Sequence, residues 1–490
     1  MNPHRLPPPA AAKRPSRAAL TLAAIFTLGA CADFSGIGPQ GAALAPATLG
    51  LQAPAPLALS ASDFDSQWWR SFGDKGLDAL VTQALQGSPS LQVAAARVAR
   101  AQALTEVLGA ADGLQSSAAV DLSRQRFSSQ GMYPPPLAGG VYETANLQLN
   151  LGYEWDFFGK NRAALDAAIG QNQAAIAELQ QARLLLSTQV TRIYFALLRL
   201  QAQKALQQSF LAQREQAQAI GRARRDAGLD SQLEFLSGPI TLPEIRQQIE
   251  ALQEQIAVTR NSLAALCAVA PSALMMPEAR IEAVRKAPVQ ESLPLDLLGR
   301  RPDIVAARWR IEAATSDMAQ TKAQFYPNIS IGGFVGLNSV GWSNITRSGS
   351  EQWGAGPALR LPVFDSGRLR AQLRGKAADL DGAIAAYNGL VFEAVREVNE
   401  QLISLRSIAQ QQREQQTAQV NAQSLLQIAQ QRHKAGLLAQ SAVINAQNAL
   451  VAHQRQAIDL QARALDVQAQ LLRALGGGYS APTSVAQATP

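Results

Sequence analysis

The chain has 490 residues, enough by length for several compact domains, yet only 6 % are aromatic and 17 % charged, and Ala and Gln fill long stretches nearly free of Pro and Gly. Such stretches read as helices rather than as separate globular cores. The net charge of +7 does not signal nucleic acid: four positive charges (Arg5, Lys13, Arg14, Arg17) lie in the first thirty residues, leaving +3, and the other Lys and Arg mix with acids along helices, with no basic cluster interleaved with aromatics.

The chain begins with a basic segment ending at Arg17, then the apolar run AALTLAAIFTLGA from Ala18 to Ala30. That run is short of the roughly 20 residues a membrane-crossing helix needs, and it fits the apolar core of a secretory signal. Its end, Leu28-Gly29-Ala30-Cys31, resembles the bacterial lipobox, in which the cysteine is acylated and becomes the mature N-terminus. Ala32 stands where, by the sorting rule of such lipoproteins, Asp would retain the protein in the inner membrane, so the outer membrane is expected. The other cysteine, Cys267, follows Leu263-Ala264-Ala265-Leu266 on an apolar helix face. It reads as a small buried hydrophobe without a disulfide partner.

The rest of the chain is a tandem duplication. Gly159 and Gly228 recur as Gly367 and Gly436, both at an offset of 208, and Arg162, Leu236, Leu252 and Leu263 fall on Arg370, Ile444, Leu460 and Leu471. Upstream, Pro89-Ser90-Leu91 resembles Pro302-Asp303-Ile304 at an offset of 213, so a small length difference lies between. Each half reads as helix, strand, loop, strand, very long helix, Gly turn, helix.

In Thr144 to Trp155, Leu147, Leu149, Leu151, Tyr153 and Trp155 alternate with polar Asn146, Gln148, Asn150 and Glu154. This strict period of two runs over the 9 to 11 residues, roughly, of a transmembrane strand. A second such strand is expected over Gln352 to Phe364, with Trp353, Ala355, Leu359, Leu361 and Val363 on one face. Weaker partners precede each: Leu114, Ala118, Val120 and Leu122, then Ile329, Ile331, Val335 and Leu337. Phe127, Trp155, Phe157 and Trp353 suit an interfacial girdle, and Ser128 to Val141 and Asn338 to Glu351 are the outward loops. The long helices, Lys160 to Asp226 and Arg368 to Lys434, should each span about 100 Å at 1.5 Å per residue. Their apolar residues (Leu184, Val190, Tyr194, Leu197, Ala205; Leu390, Val391, Val395, Leu402, Leu405) follow coiled-coil spacings, and Gly228 and Gly436 close each helix into a hairpin. Four strands cannot close a barrel, and an open edge in lipid leaves backbone groups unsatisfied, so several chains must share one wall.

At this point the chain resembles the TolC family of outer-membrane efflux proteins, in its lipoprotein branch of OprM-like and NodT-like channels. The resemblance runs from about Trp68 to Gly477. It is carried by Trp68-Trp69-Arg70-Ser71-Phe72-Gly73-Asp74, Tyr153-Glu154-Trp155-Asp156-Phe157-Phe158-Gly159-Lys160, Gly299-Arg300-Arg301-Pro302-Asp303-Ile304, Phe325-Tyr326-Pro327-Asn328, Leu361-Pro362-Val363-Phe364-Asp365-Ser366-Gly367 and Arg432-His433-Lys434-Ala435-Gly436. It implies a membrane α+β fold: a homotrimer whose twelve-stranded outer-membrane β-barrel, four strands per chain, continues into a periplasmic α-helical coiled-coil barrel. The corresponding division is a signal peptide over 1–30, a lipidated segment over 31–61, repeats over 62–270 and 296–477, a linker over 271–295 and a flexible tail over 478–490.

The implied function is passive conduction in the outer membrane, with drugs or other small molecules delivered by an inner-membrane pump of the RND type through a periplasmic adaptor. No cofactor is implied beyond the covalent lipid on Cys31. The adaptor is expected at the hairpin tips, at Gly228, Asp230, Gly436 and Leu437. In this family an apolar and an acidic residue after the second tip glycine build the periplasmic gate. Aligned on Gly436 these positions are Ser441 and Asn445, so the candidate gate, Ser441, Asn445 and Asn448, has no carboxylate; three Asn hydrogen-bond without the field of three acids. Charges near the tips (Arg224, Arg225, Asp226, Asp230, Glu234, Arg432, Lys434) are candidates for ion pairs that hold the gate closed, and His433 reads as an ordinary exposed side chain. Gly238-Pro239 and Pro243 are expected to kink or displace the first tip.

Rival readings are weaker. An enzyme lacks a site: His4, His433 and His453 form no cluster with metal-ligand spacing, and no phosphate loop or nucleophile elbow occurs. A type I protein-secretion duct and a non-conducting periplasmic scaffold remain as alternatives.

Overall fold

The computed structural model describes residues 34–44, 67–228, 241–275, 280–286 and 300–479. Cys31, Asp230, Glu234, Gly238, Pro239, most of the expected linker and nearly all of the expected tail lie outside the described residues, and so do the readings placed on them. The chain divides into two compact units, one built from 1–42, 101–172 and 310–384, the other from 43–100, 173–309 and 385–490.

The duplication is visible in the element bounds. The helices are α1 (Lys75–Gly87), α2 (Pro89–Ala110), α3 (Lys160–Asp226), α4 (Thr241–Leu266), α5 (Pro302–Ala323), α6 (Arg368–Lys434) and α7 (Gln440–Ala474). The strands are β1 (Gln115–Arg126), β2 (Val141–Trp155), β3 (Asn328–Val340) and β4 (Glu351–Arg360). Helices α2 and α5 have 22 residues each and α3 and α6 have 67 each. The offset is 213 up to the start of β3, 210 at the start of β4 and 208 from α6 onward, so the length difference is spread over the strands and their connections, 127–140 against 341–350 being the largest part. Pro243 is the third residue of α4, where a missing N–H leaves no helical bond unmade, so it starts the helix rather than kinking it.

In the first unit the four strands form one antiparallel sheet in the order β1-β2-β3-β4. Beneath it, Met318, Phe325, Leu369, Leu373, Leu380 and Ile384 make a core between α5 and α6. Helix α3 crosses α5 closely at Gly170, where an added Cβ would lie 2.9 Å from that of Ala313. Strand β4 is shorter than its alternation suggested. It stops at Arg360, because Pro362 has no N–H for the ladder and the Asp365 carboxylate accepts the N–H groups of Gly367 (3.0 Å) and Leu369 (2.8 Å), turning the chain into α6. Leu361 and Val363 are therefore not strand residues.

In the second unit the core gathers Trp68, Trp69 and Phe72, α1, and the buried stripe Leu184, Val190, Tyr194 and Leu197 of α3. Ala205, expected in that stripe, is exposed. Asp74 organises the corner. Its carboxylate caps α1 through the N–H groups of Gly76 (2.7 Å) and Leu77 (3.0 Å) and accepts from the Tyr194 hydroxyl (2.9 Å). Such a cap is worth about 1 kcal/mol. Burial first, then the Asp74 charge, pushes the Tyr194 phenol well above its ordinary range, so it stays a donor. Cys267 is buried in this core, with its sulfur 3.6 Å from the Leu80 carbonyl oxygen, and burial pushes its thiol up.

Candidate functional site

The sheet register sorts the side chains into two chemically opposite faces. Val120, Leu147 and Leu337 lie opposite one another, as do Ala118, Leu149, Val335 and Trp353, and then Trp155, Ile329 and Leu359. This apolar face is open: Trp353 is 80 % exposed, Leu359 65 % and Val120 64 %. On the other face the amides form a chain, Gln352 donating to Asn146 (2.7 Å), Asn146 to Gln148 (3.3 Å) and Gln148 to Asn150 (2.8 Å). An apolar face turned outward and an amide-lined face turned inward is what a strand wall between lipid and water requires. Edge strands β1 and β4 each pair on one side only, so the wall is unfinished within one chain.

Aromatic rings mark the end of the sheet where the helices attach. Trp155 and Phe157 are exposed there, Phe158 stacks on Tyr326 at 4.7 Å, and Phe34 meets Phe325 and Tyr326 edge-on at 5.8 and 6.4 Å. Phe34 belongs to an N-terminal strap over 34–44, whose Gln40 and Gly41 N–H groups both donate to Asp381 on α6 at 2.8 Å. Phe127 departs from the girdle expectation. It is buried beneath its loop against Tyr133 and Tyr142.

At the hairpin glycines of the second unit the turn chemistry is explicit. Gly436 (φ 73°) donates to the His433 carbonyl at 2.9 Å, and Leu437 donates to that of Arg432 at 2.9 Å, which satisfies two terminal carbonyls of α6. Gly228 (φ 74°) makes the matching bond to Arg225 at 2.8 Å. Leu437 is exposed at the tip. Below it, Ala422, Leu426 and Ala429 of α6 pack on Val443, Ala446 and Leu450 of α7 as an antiparallel pair. His433 is not an ordinary exposed side chain: it is half-buried, and its Nδ1 donates to the Leu438 carbonyl at 2.8 Å, tightening the turn. Of the expected tip ion pairs, Arg225 meets Asp226 at 2.6 Å, an exposed contact of small weight.

Ser441, Asn445 and Asn448 are all exposed and lie on one face of α7, four and three residues apart. Beside them is a residue that sequence reasoning passed over. Arg214 of α3, 4 % exposed, donates from Nη2 to Asn448 Oδ1 at 2.9 Å and lies over the Phe210 ring at 5.1 Å. Its Nε has no hydrogen-bond partner among the described residues. Burial lowers the guanidinium below its ordinary range. In the sequence Arg214 looks like any Arg in a Gln-rich helix; only the packing of Phe210 with Ile245 and Ile249 of α4 and Val451 of α7 encloses it. Among the described residues no group of His, Cys, Asp or Glu could hold a metal ion, and no helix is long and apolar enough to cross a membrane.

Two-faced sheet, unfinished edges and paired long helices define a class of outer-membrane channel. Outer membrane efflux protein is the family that matches the chain, over residues 80–269 and 293–477, and the chain belongs to it. Its fold is that of the family's trimeric channels, with a tandem repeat, four strands per chain for the barrel and long helices for the helical tunnel, and it is an outer-membrane exit channel for efflux. Among its relatives, multidrug resistance outer membrane protein MdtQ of Escherichia coli O6:H1 is 32 % identical over 436 residues, 86 % of this chain and 90 % of that protein. Multidrug resistance outer membrane protein MdtP of Escherichia coli K12 is 32 % identical over 434 residues, 85 % and 87 % of the two chains. The outer membrane protein VceC of Vibrio cholerae has a solved structure similar to this one, with a TM-score of 0.78, 31 % identity and coverage of 85 % of this chain and all of that one.

Proposed function

We propose that this channel is the terminal duct of a tripartite efflux system, passing drugs or other small molecules that an inner-membrane pump of the RND type delivers through a periplasmic adaptor. The observation that carries the reading is the sheet: one face apolar and exposed, the other lined with amides, and two unpaired edges. Three copies complete the wall with twelve strands, leaving no edge in lipid. The adaptor engages the hairpin tips at Gly228, Asp230, Gly436 and the exposed Leu437. Ser441, Asn445 and Asn448 ring the constriction as a polar, uncharged gate.

Cys31 carries the lipid. Phe34 is held against Phe325 and Tyr326 at the helix-side end of the sheet, and three residues of chain reach at most about 10 Å, which supports an acyl anchor at the inner leaflet edge of the barrel. Cys31→Ala should abolish incorporation of radiolabelled palmitate; persistent labelling would remove this part of the reading.

The channel itself is tested in planar bilayers. Purified trimer is expected to conduct, with conductance rising when Asn445 is replaced by Ala. A trimer that conducts in neither form sinks the duct in favour of a closed scaffold.

A further inference from the structure

The residues at the tip of α7 bear on what passes the narrow end of the duct. Ser441, Asn445 and Asn448 present hydroxyl and amide groups on one exposed helix face, with no carboxylate among them. Behind Asn448 lies the Arg214 guanidinium, 4 % exposed and without an ion pair among the described residues. A guanidinium can only donate, so the Asn448 oxygen must face it. The amide nitrogen, fixed on the other arm of the same planar group, then turns away from Arg214, and its two N–H donors face the open side.

The surrounding charges do not cancel Arg214. A cleft of about 550 Å³ beside Asn448 is lined by Phe210, Glu244, Arg455 and Asp459 among others. Asp459 already accepts from Gln203 at 2.7 Å and pairs with Arg199 at 3.5 Å. Glu215 is paired with Arg246 at 2.7 Å. With Asp459 answered by Arg199 and Glu215 by Arg246, and with Glu244 and Arg455 of opposite sign in the same cleft, the Arg214 charge is left over, its Nη2 2.9 Å from Asn448 Oδ1. It lies inside the Debye length of about 8 Å at physiological salt, and burial keeps counter-ions from screening it fully.

We propose that Arg214 and Asn448 form an anion-accepting collar at the helix-tip end of the channel, so that the conducting trimer favours small anions and anionic solutes over cations. The collar rests on the duct reading above, in which the exposed face of α7 lines the lumen. Outward N–H donors provide the contact and the buried guanidinium provides the field. Neither group transfers a proton or a bond, so the effect is one of selectivity alone.

Reversal potentials of the purified full-length trimer in planar bilayers under a KCl gradient test the collar. The wild type should pass chloride in preference to potassium by about threefold. Arg214→Gln, which keeps a donor for Asn448 but removes the charge, should bring the ratio close to one. Asn448→Asp, nearly isosteric at an exposed position, should neutralise Arg214 and move the preference toward potassium; it serves as the decisive variant if Arg214→Gln does not assemble. Potassium preference in the wild type, or an unchanged ratio in Asn448→Asp, overturns the collar while leaving the channel intact. A wild-type trimer that never conducts overturns the duct reading, and the collar with it.

Discussion

Two arginines of the second unit are almost equally buried and are treated in opposite ways. Arg301, 5 % exposed, forks onto Asp303 (2.7 Å) and Glu397 (2.8 Å) and also donates to the Ala474 carbonyl at 3.3 Å, while Arg473 holds the other oxygen of Glu397 at 2.9 Å. Burial works to lower the Arg301 guanidinium, but Asp303 and then Glu397 more than offset it and leave it above its ordinary value. Arg214 has one neutral amide, an aromatic face and an unpartnered Nε, and burial lowers it. The first arrangement ties α5, α6 and the end of α7 together. The second keeps a positive charge available at a place where the protein gains no stability from it.

That contrast is open to direct measurement. Arg301→Met should cost the most, about 3–5 kcal/mol, because Asp303 and Glu397 are left buried without their cation. A large fall in the thermal midpoint of the detergent-solubilised trimer is expected, and an unchanged midpoint would break the comparison on this side. Arg214→Met should act in the opposite direction, raising stability by about 1–2 kcal/mol, since an apolar side chain of similar volume replaces an uncompensated buried charge. A fall of that size would show that Arg214 is a structural partner after all.

Asn448→Asp should raise stability by about 1 kcal/mol by supplying the missing counter-charge. Paired with Arg214, the new carboxylate would have its folded pKa depressed. The gain is then fully present above the unfolded value near 4 and is lost as pH falls through the folded value, so unfolding midpoints of variant and wild type should converge in acid. The smallest effect is expected at the exposed Arg70–Asp78 contact (2.9 Å), where the hydrogen bond from Arg70, with further help from Trp69, holds the Asp78 carboxyl below its ordinary value. Asp78→Asn should cost roughly 0.5 kcal/mol at neutral pH, small because solvent screens a half-exposed Arg70. By the same sign argument the cost should vanish in acid.

The legible features of this chain are local ones. Period-two alternation located β2 through Leu147 to Trp155, and the glycines Gly159 and Gly228 recurring as Gly367 and Gly436, with Pro89-Ser90-Leu91 resembling Pro302-Asp303-Ile304, marked the duplication, because each is a pattern carried by the sequence itself. The early stop of β4 at Arg360 is legible too, in Pro362, against an alternation that continues through Val363. The candidate gate positions Ser441 and Asn445 come from the family resemblance aligned on Gly436, and helical spacing adds only that they share one face of α7 with Asn448.

By itself, then, the sequence determined the repeat, the strands, the hairpin glycines Gly228 and Gly436 and the absence of acid at Asn445. The tertiary structure decided which charges are buried and which of them are answered. His433 is turned inward by a carbonyl five residues away, Phe127 is covered by its own loop, and Arg214 meets Asn448 across 234 residues of chain. Backbone pattern is a property of neighbouring residues, whereas desolvation of a charge depends on what packs against it from elsewhere, and no periodicity in the sequence records that.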